Sequence, residues 1–387
     1  MKSISIAFIC NNINPSVGGT ERVTMTISKG LEKYGHKCYY IYSNIDNEKI
    51  AVKQKCFLPI NAKKEKLFST LYSFINSNKI QVLFVVNQIY QSRKFQNVFL
   101  ELKSKTGVKI VGCLHADPAN WKKKEKWDLV LPHIYIKSMI KRLLCCFYNK
   151  NKIRAVGMYN ISDKYILLSE RYFPVFKETY HINDIAQKLV AIENPIPFSD
   201  NYEGTKKENI VLIVSRMSEI QKRLFYALRI WKRIYQHTEE WQLIFVGGGP
   251  QLNTYKKISS KMGLNNVLFI GQTDNVSDYY RKSKIFMMTS IWEGQPMSLI
   301  EAVHYACVPI AIDSFASIHD IVQNGKTGVL CKENDIDDYV SKLCSLITND
   351  NEIVKLQTNI INQGLPNFEV TSVLQKWIKL LNELIES

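Results

Sequence analysis

The chain alternates short apolar runs with stretches of helical spacing along nearly its whole length, and this alternation limits its possible folds more than any other feature. Residues 20–34 carry apolar side chains every third or fourth position, with Thr20 as a candidate helix cap. Such alternation predicts βαβ units and a largely parallel sheet. In the first half the apolar runs lie at 4–10, 38–42, 82–86, 109–113, 165–168 and 189–192.

The pattern breaks after Asn194, where NPIPFSDNYEGTKKEN combines prolines with polar residues and glycine, as domain linkers do. At 387 residues the chain is long enough for two domains. We predict an α/β protein with two doubly wound domains, 1–195 and 196–368, and a C-terminal helix at 369–387 whose return to the first domain is left open. The second set of apolar runs lies at 210–214, 243–246, 267–270, 285–288 and 308–312, with helical stretches near 223–235, 252–262, 296–305 and 335–346.

The nine cysteines include no CxxC pair and no Cys/His cluster at metal spacing. Cys10, Cys38 and Cys113 lie in strand-like runs, so we expect buried, reduced thiols. The apolar stretch before Asn11 and Asn12 is too short for a signal peptide, and no run reaches the roughly 18 to 20 apolar residues of a membrane span. These features predict a cytoplasmic protein.

Charge is shared unevenly between the halves of the chain, whose formal net charge is +16. Residues 1–198 hold 31 Lys and Arg against 14 Asp and Glu, whereas 199–387 hold 20 against 21. A basic first half indicates an anionic partner, either a membrane or a nucleic acid. Because the sequence has no recognisable nucleic-acid-binding module, we expect no nucleic acid partner.

Open parallel sheets bind ligands beyond the carboxyl ends of their strands, so the residues after each run are candidates for a site. SRMSEIQK follows the first run of the second half and places Arg216 at a strand end and Lys222 at an expected helix start, where two cations suit a diphosphate. The next apolar run, 243–246, is followed directly by Gly247, Gly248 and Gly249. These glycines allow backbone to approach a ligand closely, but they equally make an ordinary strand-to-helix turn.

Two carboxylates eight residues apart, Glu293 and Glu301, flank a Gly-Gln-Pro loop and the start of an apolar helix in TSIWEGQPMSLIEAV. With Pro296 near the first helical position, Glu301 lies five residues along, or roughly 7 to 8 Å. A nucleotide sugar laid across this helix end would present its sugar to Glu293, its diphosphate to backbone amides and its ribose to Glu301. Those amides belong to Ser298, Leu299 and Ile300.

Each of these residues also has an ordinary structural interpretation. Glu293 alone could be a solvated loop carboxylate and Glu301 a charge on a helix surface. Arg216 and Lys222 could be a solvated pair. Their joint occurrence at the strand ends of one predicted sheet favours a functional site.

The same residues lie within longer motifs that resemble a known family: EGQPMSLIEAVHYACVPIAIDSFASIHDIVQNGKTGVL, SRMSEIQKR, VGGGP and the amino-terminal GGTERV. The motifs span nearly the whole chain and are similar to those of the retaining glycosyltransferases of family four (group 1), of the type found in bacterial surface-polysaccharide biosynthesis. The resemblance implies a GT-B fold, two doubly wound Rossmann-like domains facing a cleft, the first binding the acceptor and the second the nucleotide sugar. One departure is Gln295, where the family often has an aromatic or aliphatic residue.

By this resemblance, Glu293 contacts hydroxyls of the donor sugar, Glu301 contacts the ribose, and Arg216 with Lys222 binds the donor diphosphate. Breaking the bond between sugar and phosphate develops negative charge on that diphosphate, which cations and helix amides stabilise. We therefore expect a metal-independent enzyme with no cofactor, using a nucleotide-diphosphate sugar, preferably a UDP-sugar, as its donor. 

The resemblance also assigns residues of the first domain. Gly18 and Gly19, in the loop after the first apolar run, would reach the diphosphate from the other side of the cleft. His115, in VGCLHAD, matches a histidine near the transferred sugar, with a plain buried or surface histidine as the alternative.

The only Asp-x-Asp sequence, formed by Asp335 and Asp337, opens an expected helix. At that position a carboxylate caps the helix N-terminus and interacts favourably with the helix dipole. We therefore predict helix capping rather than the metal-binding signature of the other major glycosyltransferase fold.

A basic amphipathic stretch without Asp or Glu runs from 129 to 162 and includes Lys137, Lys141 and Arg142 among aliphatic residues. It predicts either docking on anionic lipid or a core helix whose polar face is basic. Taken together with the family resemblance, docking on anionic lipid predicts a hexosyltransferase that binds peripherally to the inner face of the cytoplasmic membrane. Its acceptor would be a lipid-linked oligosaccharide or glycan in lipopolysaccharide, capsule or exopolysaccharide assembly.

Two other functions remain open from the sequence. One is a non-catalytic nucleotide-sugar-binding partner subunit, which intact Glu293, Arg216 and Lys222 disfavour. The other is a nucleotide-sugar epimerase or oxidoreductase on a dinucleotide-binding sheet, but no G-x-G-x-x-G follows any strand-like run.

Overall fold

The computed structural model describes residues 3–15, 18–44, 54–86, 88–120, 150–183, 185, 187–198, 204 and 206–386. They form two compact units. The first consists of the described residues up to 120, of 150–197 and of 367–386, and the second consists of the described residues within 198–366. Each unit has its own parallel sheet with helices.

The first unit is built on a seven-stranded parallel sheet in the order β3-β2-β1-β4-β5-β6-β7. The strands are β1 (Ser5–Cys10), β2 (Lys37–Tyr42), β3 (Lys55–Phe57), β4 (Val82–Val85), β5 (Lys109–Leu114), β6 (Lys164–Leu167) and β7 (Leu189–Ala191). β1 pairs with β2, Ser5 lying opposite Lys37, and on its other side with β4, Ile6 lying opposite Val82. Because the strand order changes direction at β1, the sheet is doubly wound.

The helices of the first unit begin with α1, which buries Val23, Ile27 and Leu31 along one face. The prediction that Thr20 caps α1 is wrong, because the helix begins one residue earlier and its N-cap is Gly18. The unit contains α1 (Gly19–Lys33), α2 (Lys64–Asn78), α3 (Arg93–Thr106), α4 (Lys150–Ile161), α5 (Tyr172–Tyr180) and a 3-10 turn at Gln88–Gln91.

The second unit has a six-stranded parallel sheet in the order β10-β9-β8-β11-β12-β13. Its strands are β8 (Glu208–Val214), β9 (Gln242–Val246), β10 (Val267–Gly271), β11 (Ser283–Met288), β12 (Val308–Ile312) and β13 (Val329–Cys331). Its helices are α6 (Glu219–Lys222), α7 (Leu224–Ile234), α8 (Leu252–Lys261), α9 (Val276–Lys282), α10 (Met297–His304), α11 (Ile336–Ile347) and α12 (Asp350–Gln363). Short 3-10 turns occur at Tyr235–His237, Ala316–Asp320 and Pro366–Phe368.

The last helix, α13 (Val370–Glu386), belongs to the first unit. The ring of Trp377 lies 6.3 Å from that of Phe8 on β1 and 4.7 Å from that of Phe84 on β4. Lys376 forms an ion pair with Glu193 at 2.6 Å. The end of the chain thus completes the hydrophobic core of the first unit.

All eleven apolar runs predicted as strands are strands, whereas β3 and β13 were not predicted. Both of the unpredicted strands have only three residues, too few to show a period, and unlike the equally short β7 neither coincides with an apolar run singled out in the sequence. Capping by Asp335 is confirmed, because its Oδ1 accepts a hydrogen bond from the Asp338 amide at 3.0 Å. Pro296 is the N-cap of α10 and not its first helical residue.

The structure describes seven of the nine cysteines, and all seven are free thiols. Five are buried, whereas Cys56 and Cys344 are partly exposed. Burial raises the pKa of the Cys113 thiol, which keeps it protonated and unreactive.

Within the described parts of the chain, no helix has both the length and the apolar character needed to cross a membrane.

Candidate active site

The second sheet changes direction between β8 and β11, which are neighbours in the sheet although two strands, β9 and β10, lie between them in the chain. Open α/β sheets bind ligands at such a switch point, beyond the carboxyl ends of the strands. The loop 215–218 follows β8, and the loop 289–296 follows β11. Arg216 and Glu293 lie in these two loops, and the helices that follow them contain the other predicted site residues except Gly247 and Gly248: Lys222, Ser298, Leu299, Ile300 and Glu301.

Hydrogen bonds from side-chain hydroxyl groups stabilise the conformation of the loop after β11. The Thr289 Oγ1 hydroxyl donates to the Lys222 carbonyl at 2.7 Å. Ser314 Oγ donates to the Ser290 carbonyl at 2.8 Å, and Ser317 Oγ donates to the Gly294 carbonyl at 2.7 Å. Because two of these bonds are buried and the third is partly buried, the loop presents its side chains from a fixed backbone.

Glu293 is held by two neighbouring residues of α6. Lys222 Nζ donates to its Oε1 at 2.5 Å, and Gln221 Nε2 donates to its Oε2 at 3.0 Å. The side chains of Lys222 and Glu293 are only 16% and 9% exposed. Glu293 is therefore a buried, ion-paired carboxylate and not a solvated loop residue. Removing one partner of such a pair leaves an uncompensated buried charge, which costs about 3–5 kcal/mol.

Lys222 lies at the end of a one-turn helix, not at the expected helix start. Arg223 follows with φ of 51°, the left-handed conformation, and separates α6 from α7. A residue other than glycine in this region stores roughly 1–2 kcal/mol of strain. The Thr289 hydroxyl bonds to the carbonyls of Lys222 and Arg223, at 2.7 and 3.2 Å, and so helps to stabilise this turn.

The first turn of α10 offers backbone amides at the same edge of the sheet. The amides of Leu299 and Ile300 donate to the Pro296 carbonyl at 3.1 and 3.2 Å. The amides of Met297 and Ser298, in contrast, have no hydrogen-bond partner among the described residues. Free amides at a helix N-terminus bind anions, so Met297 and Ser298 are better placed for this role than the predicted Leu299 and Ile300.

Glu301, one turn further along α10, is 2% exposed. The Tyr280 hydroxyl donates to its Oε2 at 2.9 Å. The alternative that Glu301 is a charge on the helix surface is therefore wrong.

Arg216 is exposed in the loop after β8. Its neighbour Met217 donates its amide to the Gly248 carbonyl at 2.8 Å, which joins this loop to the glycine loop after β9.

The glycines after β9 serve close packing between loops. A Cβ on Gly247, whose φ is +128°, would lie 2.1 Å from the Ser215 carbonyl oxygen. A Cβ on Gly249, whose φ is +153°, would lie 2.6 Å from the Met217 carbonyl oxygen. Gly248 has room around its Cα, with Gln272 at 3.7 Å. Gly247 and Gly249 are thus required by the turn itself, whereas ligand binding by Gly247 and Gly248 remains a prediction.

In the first unit, Gly18 and Gly19 form the N-terminus of α1 at the carboxyl end of β1. A Cβ on Gly18 would lie 2.8 Å from the Glu21 carboxylate, so a larger residue would displace that side chain. Burial raises the pKa of Glu21. An anion near this helix end would favour its protonated form further.

His115 directly follows β5 in the same unit. The residue as a whole is partly exposed, but its Nδ1 atom is buried and has no hydrogen-bond partner among the described residues. Burial lowers the pKa of His115 to about 4, so the ring is neutral at physiological pH. An unpartnered buried ring nitrogen is consistent with a ligand-binding residue.

The structure adds residues that the sequence did not single out. Gln221, Thr289 and Tyr280 hold site residues through hydrogen bonds. Of these three residues, only Gln221 could have been suspected from the sequence, because it is next to Lys222. The contacts of Thr289 and Tyr280 join segments that are distant in the sequence. The predicted docking residues Lys137, Lys141 and Arg142 lie outside the described residues.

Comparison with known proteins follows the same division of the chain. Residues 198–365 match the sequence model of the family described as glycosyl transferases group 1. The chain is 23% identical, over 98% of its length and 99% of the relative, to a Campylobacter jejuni alpha-1,4-N-acetyl-D-galactosaminyltransferase named for a PP-undecaprenol-linked acceptor.

Solved structures resemble the chain over almost its full length. The apo form of the lipopolysaccharide outer core galactosyltransferase WaaB has a TM-score of 0.71, with 19% identity over 99% of both chains. Anabaena HepE in complex with UDP has a TM-score of 0.75, with 14% identity over 98% of this chain and 100% of the other. The protein therefore has the GT-B fold, and residues 198–365 of its second unit match the group 1 glycosyl transferases.

Proposed function

We propose that the protein is a retaining glycosyltransferase that moves a sugar from a nucleotide-diphosphate sugar, preferably a UDP-sugar, to a hydroxyl of a lipid-linked or polysaccharide acceptor. One observation carries this proposal. The buried Lys222–Glu293 pair and the free amides of Met297 and Ser298 lie at the switch point of the sheet that matches the family. A cation and a helix N-terminus suit a diphosphate, and a fixed carboxylate suits sugar hydroxyls.

In the proposed arrangement, the second unit binds the donor. Glu293 accepts hydrogen bonds from hydroxyls of the sugar, and Glu301 accepts them from the ribose. Arg216, Lys222 and the α10 amides bind the diphosphate. Gly18, Gly19 and His115 of the first unit remain predictions from the sequence.

The chemical step requires stabilisation of the leaving diphosphate. As the bond between the anomeric carbon and the phosphate oxygen breaks, negative charge grows on that oxygen. Preorganised cations and amides are each worth a few kcal/mol at this stage. In front-side attack, the acceptor hydroxyl bonds to the anomeric carbon on the same face and passes its proton to the departing phosphate oxygen. Such a step needs no side-chain nucleophile, and we propose that it needs no metal or cofactor.

The acceptor class is inferred from the relatives. The Campylobacter jejuni enzyme is named for an undecaprenol-linked substrate, and WaaB for the lipopolysaccharide outer core. We propose that this protein likewise acts in the assembly of lipopolysaccharide, capsule or exopolysaccharide. The basic stretch at 129–162 would bring it to an anionic membrane surface where such acceptors reside.

The proposal is tested by incubating the purified protein with a panel of UDP- and GDP-sugars and a polyprenyl-diphosphate-linked oligosaccharide. We expect release of one nucleoside diphosphate and a product whose anomeric configuration, measured by NMR, equals that of the donor. The Glu293→Gln variant should bind the nucleotide but transfer little sugar. Donor binding without turnover would instead indicate a non-catalytic subunit, and an inverted product would refute retention.

A further inference from the structure

We propose that Tyr280 is a positioning residue that fixes the carboxylate of Glu301 and thereby makes the site selective for ribose over deoxyribose in the nucleotide. The inference rests on the proposed function, in which Glu301 binds the ribose hydroxyls. It assigns the selectivity for the ribose of the nucleotide to Tyr280, which lies on a different helix from Glu301.

The contact between the two side chains is buried and direct. Tyr280 lies on α9 and is fully buried, and Glu301 lies on α10 and is 2% exposed. The Tyr280 hydroxyl donates to Glu301 Oε2 at 2.9 Å. A bond of this length in a buried environment restricts rotation of the carboxylate, because breaking it would leave both groups without that partner.

Tyr280 is itself held by its backbone and its ring. Lys207 Nζ donates to the Tyr280 carbonyl at 3.1 Å and to the carbonyls of Arg281 and Ser283 at 3.2 and 2.9 Å. Cys307 Sγ donates to the same Tyr280 carbonyl at 3.0 Å. Two of these carbonyls, those of Tyr280 and Arg281, lie at the C-terminal end of α9, where the helix itself supplies no donors.

The ring of Tyr280 stacks on that of Tyr305, with centroids 6.0 Å apart and planes 13° from parallel. The guanidinium group of Arg281 packs over the Tyr305 ring, and its central carbon lies 5.0 Å from the ring centroid. The hydroxyl of Tyr280 therefore projects from a ring whose position is fixed by packing. 

A fixed carboxylate can discriminate between nucleotides. A site built to accept a hydrogen bond from a hydroxyl rejects the analogue that lacks it, because a polar group is then left unpaired. The discrimination depends on the orientation of the acceptor, which supporting residues maintain. Without the tyrosine hydroxyl, the Glu301 carboxylate would rotate more freely. Each hydrogen bond from a ribose hydroxyl would then contribute less to the binding free energy.

The experiment measures dissociation constants of UDP, 2′-deoxy-UDP and 3′-deoxy-UDP by calorimetry. We expect the wild-type protein to bind UDP about tenfold more tightly than at least one deoxy analogue, the order of one lost hydrogen bond. In Tyr280→Phe this ratio should fall to roughly twofold. Affinity for UDP should fall more than affinity for that deoxy analogue.

Tyr255→Phe is a matched control. Tyr255 is also fully buried, and its hydroxyl donates to a carboxylate oxygen of Glu219 at 3.0 Å. The substitution removes the same group from the same unit but leaves Glu301 untouched. It should lower thermal stability by an amount similar to Tyr280→Phe and keep the wild-type ratio between UDP and its deoxy analogue. 

The outcomes separate the two levels of the proposal. If the wild-type protein discriminates and Tyr280→Phe does so equally well, Tyr280 has no positioning role. If the wild-type protein binds UDP without discriminating, the ribose role of Glu301 fails and the inference fails with it. No binding of UDP would count against the proposed donor class. Should Tyr280→Phe not fold, Lys207→Met, which releases the end of α9, must lower the ratio, and an unchanged ratio would overturn the proposal.

Discussion

Lys222 and Glu293 form an ion pair across the switch point of the second sheet, although 71 residues separate them in the chain. Lys222 comes from the segment after β8, and Glu293 from the loop after β11. Because both side chains are largely buried, the ion pair fixes the orientation of each. The pair links the proposed diphosphate-binding cation to the proposed sugar-binding carboxylate.

Replacing Lys222 with Ala should therefore reduce sugar transfer at least about 100-fold, the order expected for one lost contact to developing charge. The loss should appear mainly in kcat, because the cation acts most strongly on the leaving diphosphate. Steady-state kinetics with saturating acceptor measure it. Near-normal turnover in this variant would refute the assignment.

Lys284→Ala is a matched control for this variant. The Lys284 side chain is 17% exposed, almost the same as that of Lys222, and pairs with Asp350 at 2.8 Å. It lies at the start of β11, at the opposite end of the strand from the loop that holds Glu293. We expect this substitution to cost some stability but to leave turnover within about twofold of wild type, because the pair lies at the end of β11 away from the site loops.

Activity should survive excess EDTA, because the positive charges proposed for the diphosphate are those of Arg216 and Lys222. The measurement compares transfer rates in protein dialysed against EDTA with and without added Mg²⁺ or Mn²⁺. A loss on chelation that either ion restores would show that the leaving group is stabilised by a metal.

Stability should fall as the pH drops, in part because of His115. Burial lowers its folded-state pKa to about 4, below the value near 6.5 expected in the unfolded chain. As the pH falls from about 6.5 to about 4, the unfolded state therefore binds a proton that the folded state does not, and unfolding is favoured. The difference in unfolding free energy between wild type and His115→Asn should shrink over this range. 

Urea titrations at pH 7, 5.5 and 4.5 measure that difference. His181→Asn is the control, because His181 belongs to the same unit, is exposed, and has a left-handed backbone that Asn tolerates. An equal pH dependence of wild type and His115→Asn would contradict the assigned pKa.

Binding to liposomes should require anionic lipid, decrease with salt, and weaken when Lys137, Lys141 and Arg142 are replaced with Gln. Each basic residue near a charged surface contributes roughly 1 kcal/mol. Flotation with neutral and anionic vesicles measures the effect. Equal binding to both vesicle types, or binding to neither, would refute electrostatic docking without refuting sugar transfer.

A triple variant with the same change in charge controls for net charge alone. Lys33, Lys63 and Lys66 are exposed on the first unit, outside the amphipathic stretch. Replacing these three with Gln should weaken anionic-vesicle binding much less than replacing Lys137, Lys141 and Arg142. An equal loss would show that overall charge, and not this stretch, drives binding.

The fold could be predicted from the sequence because parallel sheets require repeated apolar runs, and each of those runs became a strand. The site could be predicted only as a set of residue types at strand ends. That Glu293 is buried and paired depends on the return of its loop to α6, which no periodic pattern encodes. The contact of Tyr280 with Glu301 depends likewise on how α9 packs beside α10.

The packing of α13 against β1 and β4 has a consequence for the order in which the protein is made. Trp377 is synthesised after the whole of the second unit, yet its ring fills the core beside Phe8 and Phe84. During synthesis, the first unit therefore lacks one helix of its core until the whole of the second unit has been translated. A nascent chain stalled before residue 370 would expose apolar surface of the first unit, the part of the chain that was translated earliest.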